Sequence, residues 1–152
     1  MPDAATHILI QIMFNKLIWI KKIAPYSLFG AIAPDFAKGL NRIISPDWDW
    51  VFYPMHSPFY MLFFFYAISM LFHKSERSSF ILGSLLGMGI HLFLDILQTN
   101  ISGSYYMPLF PFSFKTISLG LINTETSLFF LPLTILIVLL TYFLKEYIGK
   151  KI

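Results

Sequence analysis

At 152 residues the chain suits a single domain, spanning 1–152. It is 57% hydrophobic and only 12% charged, with a mean hydropathy of +0.68; a soluble domain carries about 25% charged residues, so the composition excludes a soluble globule and indicates an integral membrane protein whose main partner is the lipid bilayer. The net charge of +3 comes from basic residues scattered at the ends of apolar runs, with no basic stripe to track phosphates, which argues against nucleic acid, and the lack of cysteine excludes disulfides and thiolate metal sites.

The first apolar segment, Ala5 to Ile23, is followed rather than preceded by its positive charges, Lys16, Lys21 and Lys22. It therefore does not read as a signal peptide and is expected to stay as a helix. Asp3, His7, Gln11 and Asn15 recur every four residues, so they share one face of that helix. A polar stripe on an otherwise greasy helix belongs against other helices or a wet cavity. From Pro25 to His56 the pattern is broken, with room for a short helix bounded by Pro25 and Pro34. The stretch "SPDWDWVFYP" suits an interfacial loop, where Trp and Tyr concentrate.

Three runs then approach the roughly 20 apolar residues a spanning helix needs: Pro58 to Phe72, Phe80 to Leu97 and Leu128 to Leu144. An aromatic connection from Thr99 to Thr126, carrying Gly103, Pro108 and Pro111, separates the last two. Basic residues sit at Lys21 and Lys22, at Lys74 and Arg77 in the connection "HKSER", and at Lys145, Lys150 and Lys151 in the tail. Cytoplasmic ends are enriched in Lys and Arg. All these ends fall on one side if the chain crosses four times with its N-terminus outside. Asp3, His7, Asp35, His56, His91 and Asp95 then gather at the outer end of the bundle.

The most informative stretch is "GMGIHLFLDILQ", Gly87 to Gln98, which places His91 and Asp95 inside an apolar run. At i and i+4 they lie on one helical face, a spacing from which both side chains reach one metal ion. The alternative is an internally satisfied His–Asp pair. Ionisable groups within a membrane are costly and usually functional. "APDF" adds Asp35 just after a helix-breaking proline, "MHSP" adds His56, and "ATHIL" adds His7. Imidazole and carboxylate donors suit zinc, manganese or iron. His73, beside Lys74 and Arg77, reads as a solvated loop residue. Ser57 lacks the glycines of a nucleophile elbow. Asp47 and Asp49 read as turn or cap residues, with a further ligand role open.

The segments "DAATHIL", "GAIAPDF", "MHSPF" and "GMGIHLFLDILQT…GSYYMPLFPFS" resemble, in order and spacing, the membrane-bound metal-dependent hydrolase family. The resemblance runs from Asp3 to about Ser113. The order His, Asp, His, then His-x-x-x-Asp is also similar to that of zinc-dependent phospholipase C. The resemblance implies His7, Asp35, His56, His91 and Asp95 as metal ligands. There are departures. Tyr53 and Pro54 stand where the family has His and Arg, and Ala37 stands where it often has a second Asp.

The expectation is therefore an all-α polytopic membrane bundle of about four helices with a metal site at one end. The site lies in the prokaryotic cytoplasmic membrane and faces away from the cytoplasm. The expected chemistry is metal-dependent hydrolysis, zinc being the implied ion and a phosphoester or lipid the substrate. A bound metal lowers the pKa of its water toward 7, and a carboxylate outside the ligand set, Asp3 or Asp47, takes the proton. A non-catalytic metal-binding protein and a purely structural bundle are the alternatives. Oligomeric state is not legible.

Overall fold

The computed structural model describes residues 4–18, 21–44, 56–98, 107–121 and 127–149. The all-α expectation holds: the described residues form five helices and no strand. These are α1 (Ala4–Ile18), α2 (Ala24–Ile44), α3 (Pro58–Ser69), α4 (Lys74–Leu97) and α5 (Ser127–Gly149).

The helix beyond the expected four is α2, where the sequence suggests only a short piece ending at Pro34. Instead the helix runs 21 residues straight through that proline. Proline removes one backbone donor and crowds the preceding turn. Here Pro34 is fully buried, and helix-interior prolines are tolerated in membrane bundles where neighbours satisfy the freed backbone groups. Asp35 follows directly. The sequence also overestimates two helices. α1 ends at Ile18 rather than Ile23. α3 ends at Ser69, where Ser69 Oγ donates to the Tyr66 carbonyl at 2.6 Å. Arg77 Nε then donates to the Phe72 carbonyl at 3.2 Å, tying the α3–α4 turn. Among the described residues, α4 is the helix long and apolar enough to cross a membrane.

α2 lies along α4, α1 packs against α2 and α5, and α3 packs against α4. The α2–α4 seam is built from small residues. A Cβ on Gly30 would collide with the Ser84 backbone, and one on Gly83 would come within 2.8 Å of the Ile23 carbonyl oxygen. Backbones that approach this closely are how helices associate where water offers no hydrophobic drive. Ser84 Oγ donates across the seam to the Tyr26 carbonyl at 3.3 Å. Beside it Met61, Phe65, Phe80, Met88 and Leu92 form the apolar core, with Phe72 stacked on Phe80 at 4.5 Å between centroids.

The exterior is greasy. Phe63, Leu82, Phe93 and Phe143 are all exposed, while the buried set includes His7, Gln11, His91 and Asp95. A soluble domain shows the reverse. An apolar surface around a polar interior is what a bilayer solvates.

Candidate metal centre

Four chain segments bring five of the anticipated side chains together. α1 supplies His7 near its start. α2 supplies Asp35 from the turn after Pro34, and the residue two before α3 supplies His56. α4 supplies His91 and Asp95 from its last two turns. His7, His56, His91 and Asp95 are buried and Asp35 is nearly so. The other two anticipated residues, Asp3 and Asp47, lie outside the described residues, as do Asp49, Tyr53 and Pro54.

The contacts within the cluster all run from an imidazole Nε2 to a carboxylate oxygen. His91 Nε2 lies 3.2 Å from Asp95 Oδ2 and 4.0 Å from Asp35 Oδ1. His56 Nε2 lies 3.7 Å from Asp95 Oδ2 and 3.6 Å from Asp35 Oδ1. His7 Nε2 lies 3.5 Å from Asp95 Oδ1. An N–H···O bond spans 2.7–3.2 Å, so most of these pairs are too far apart to be hydrogen bonds. Among the described residues, His7 Nε2, His91 Nε2, Asp35 Oδ1 and both Asp95 oxygens are buried with no hydrogen-bond partner. Native structures rarely leave buried polar atoms so, and a group of them in one place calls for an explanation.

The tautomer of His91 sharpens the point. Its Nδ1 lies 2.8 Å from the Ala31 carbonyl of α2. A carbonyl only accepts, so Nδ1 carries the hydrogen. In the neutral ring Nε2 then directs a lone pair at two carboxylates. Such an arrangement repels unless a proton or a metal cation lies between the donors. The ring of His7 stacks on that of His91 at 4.1 Å, and the His56 ring lies 5.5 Å from it. The donor atoms fall into two overlapping triads, His7–Asp35–His91 and His56–His91–Asp95, each within 4.8 Å.

Residues 107–121 meet the chain next to His56 and just after Asp95. Ser57, passed over as a nucleophile, is buried and donates from Oγ to the Phe110 carbonyl at 2.6 Å. The last carbonyls of α4, on Ile96 and Leu97, accept from the nitrogens of Leu119 and Leu121 at 2.7 and 2.8 Å. Ser118 Oγ donates to the Gln98 carbonyl. The chain segment after α4 thereby caps the turn that holds Asp95. The Ala31 carbonyl and this capping left no mark in the sequence, since both act through the backbone. Lys16, Lys74 and Arg77 lie at the opposite end, while Lys115 is exposed within residues 107–121. His73 is exposed at the start of α4, 2.9 Å from Ser75 Oγ, and Lys16 at the end of α1 sits 3.6 Å over the Tyr142 ring of α5.

A greasy helical bundle with a buried imidazole–carboxylate cluster at one end is thus a membrane protein with a polar centre inside an apolar exterior. The chain belongs to the YdjM inner membrane protein family, whose model matches residues 3–151. This accords with the cytoplasmic membrane of a prokaryote; the family's description carries no chemistry. No curated protein and no solved structure matches the chain.

Proposed function

We propose that the cluster holds one divalent cation, zinc by donor type, and that the protein is a membrane-bound metal-dependent hydrolase of phosphoester or lipid substrates. The observation that carries this reading is the lone-pair conflict at His91: a buried imidazole Nε2, its tautomer set by Ala31, aimed at Asp95 and Asp35. Donors held about 2.0–2.1 Å from a tetrahedral zinc stand about 3.3–3.4 Å from one another. Four of the five Nε2-to-oxygen separations, 3.5 to 4.0 Å, lie near or beyond that edge and exceed hydrogen-bond length; the fifth, His91 to Asp95, is 3.2 Å.

A single ion fits best. Both triads use His91, whose Nδ1 is committed to Ala31, and one nitrogen lone pair serves one metal. When bound, the ion supplies Lewis acidity and lowers the pKa of a bound water toward about 7. Asp3 and Asp47 are the candidates to take a proton. Lipid as substrate is supported by residues 107–121, which leave Phe112 80% and Phe114 70% exposed beside the site. The site faces away from the cytoplasm in this reading, because Lys16, Lys21, Lys22, Lys74 and Arg77 sit at the other end.

The test is elemental analysis of protein purified in mild detergent, paired with hydrolysis of chromogenic phosphodiesters and lipids with and without chelator. Wild type is expected to carry about one zinc, His91→Ala much less, and Asp35→Asn no turnover. Turnover that survives both chelation and Asp35→Asn would sink the mechanism. The rival favoured by Ala37, a metal held without catalysis, is identified by stoichiometric zinc and no turnover on any substrate.

A further inference from the structure

Beyond the cluster, α1 carries a second set of polar side chains in the bundle interior. Gln11 and Ser27 are fully buried. Asn15 Nδ2 donates to the Ala24 carbonyl at 3.3 Å. Asn15 Oδ1 accepts from Gln11 Nε2 at 3.0 Å and lies 2.9 Å from Ser27 Oγ. The order of these amides is forced. A carbonyl cannot donate, so Asn15 must turn its nitrogen to Ala24 and its oxygen to Gln11. Gln11 must then turn its nitrogen to Asn15, which leaves its oxygen pointing elsewhere.

That oxygen, Gln11 Oε1, is buried with no hydrogen-bond partner among the described residues, and so is His7 Nδ1. One is an acceptor and the other can be a donor. They belong to residues at i and i+4 on one face of α1. Helical side chains lean toward the N-terminus, so Gln11 leans toward the turn that carries His7. His7 Nε2 already faces Asp95 at 3.5 Å, so Nδ1 is the nitrogen left to be satisfied.

The two atoms do not bond to each other in this structure. We propose that a small rotation of the Gln11 amide and the His7 ring pairs them, making Gln11 a positioning residue for His7: its Oε1 then accepts the Nδ1 hydrogen and holds the Nε2 lone pair toward Asp95. Asn15 and Ser27 serve as the stop that prevents the amide from flipping. The arrangement mirrors the Ala31 carbonyl behind His91, with a side chain in place of the backbone. Gln11 stays a neutral acceptor within the apolar bundle, where a carboxylate in that role would add a buried charge. The inference rests on the metal reading above for its purpose, although the hydrogen bond itself does not need the metal.

The experiment uses full-length protein labelled with 15N-histidine in detergent, metal-free and at mildly alkaline pH, with His7→Asn assigning the signal. Wild-type His7 should be in the Nδ1–H tautomer. Gln11→Leu, which keeps the bulk and loses the acceptor, should convert it to a mixture, and Gln11→Glu should preserve it. Zinc affinity, measured by competition with a chelator, should fall roughly 10–100-fold in Gln11→Leu, the usual effect of removing a group that orients a ligand, and stay within a few-fold in Gln11→Glu. If Gln11→Leu fails to accumulate, Asn15→Ala frees the amide to rotate and should shift the tautomer the same way. An Nε2–H tautomer in wild type overturns the proposal. So does a Gln11→Leu protein with unchanged tautomer and affinity, or equal zinc loss in the Leu and Glu variants. Wild type that binds no zinc overturns the metal reading instead, and leaves the tautomer to judge Gln11.

Discussion

Gly87 is the position where one methyl group should do the most harm. It faces α2 at the closest point of the seam. A Cβ there would run into the Ser27 carbonyl and stand 2.8 Å from the Ala31 nitrogen, both backbone atoms that cannot rotate away. Ordinary contact begins near 3.4 Å, so α2 must retreat by about 0.6 Å at Ala31 and by more at Ser27. Ala31 is also the residue whose carbonyl holds His91 Nδ1 at 2.8 Å. The same retreat stretches that bond to about 3.4 Å, beyond the usual range for N–H···O. Overpacking costs about 1–3 kcal/mol, and a buried donor left unpaired about 1–3 kcal/mol more. Gly87→Ala should therefore lose roughly 2–6 kcal/mol, against a total stability of about 5–15 kcal/mol for a typical domain. Thermal unfolding in detergent, followed by size-exclusion chromatography, reads the loss, and bound zinc should fall with it. Gly89→Ala is the control. It lies on the same helix with nothing within 4 Å of its Cβ, and should gain up to about 1 kcal/mol from helix propensity. Equal melting temperatures and equal zinc in the two variants would refute the reasoning.

Chelation should lower the melting temperature of wild type. At free zinc 100 times its dissociation constant the bound ion contributes about 2.7 kcal/mol, or roughly 5–10 °C for a chain of this size; His91→Ala should melt at the same temperature with and without chelator. The native chain has no cysteine, so Lys115→Cys, exposed beside the site, should react with an impermeant thiol reagent in intact cells. Ser75→Cys, exposed at the opposite end, should react only after the membrane is opened; the reverse pattern places the site on the cytoplasmic face. The cation over the Tyr142 ring should couple α1 to α5: a double-mutant cycle of Lys16→Leu and Tyr142→Leu should give a coupling of about 0.5–2 kcal/mol, and zero coupling removes that contact from the account.

What could be read from the sequence was what depends on residue type and spacing. The apolar runs placed α3, α4 and α5 because a bilayer demands long uncharged segments. The four-residue period placed His7 and Gln11 on one face of α1, and both are buried. The juxtaposition of His7, Asp35, His56, His91 and Asp95 was anticipated through family resemblance and the charge asymmetry. What escaped notice was set by packing and backbone. Pro34 reads as a helix end, yet α2 continues through it, packed along α4 where Gly30, Gly83 and Gly87 allow close approach. The Ala31 carbonyl has no signature at all, since every residue carries one. Gln11 was noticed only as part of a stripe; its orientation depends on Asn15, Ser27 and Ala24, whose meeting no linear spacing announces.

The length of α3 has a consequence for the membrane itself. Its 12 residues rise about 18 Å, while the hydrocarbon of a typical bilayer is about 30 Å thick. The neighbouring α4, at 24 residues, reaches about 36 Å. One end of α3 is anchored: Arg77 donates to the carbonyls of Phe72 and Met70, and an arginine draws its helix end to the headgroup layer. The shortfall therefore falls at the His56 end. Lipid there must thin, or headgroups and water must dip inward, to reach a histidine that the helix cannot lift to the surface. Such mismatch costs fractions of a kcal/mol per Å, so the protein is expected to favour short-chain bilayers. Its melting temperature should fall as the acyl chains of the reconstituting lipid are lengthened, and a flat response would show that the membrane does not bend to meet it. The polar centre would then lie at the floor of a dimple in one leaflet, where lipid headgroups descend to it and the site need not open outward.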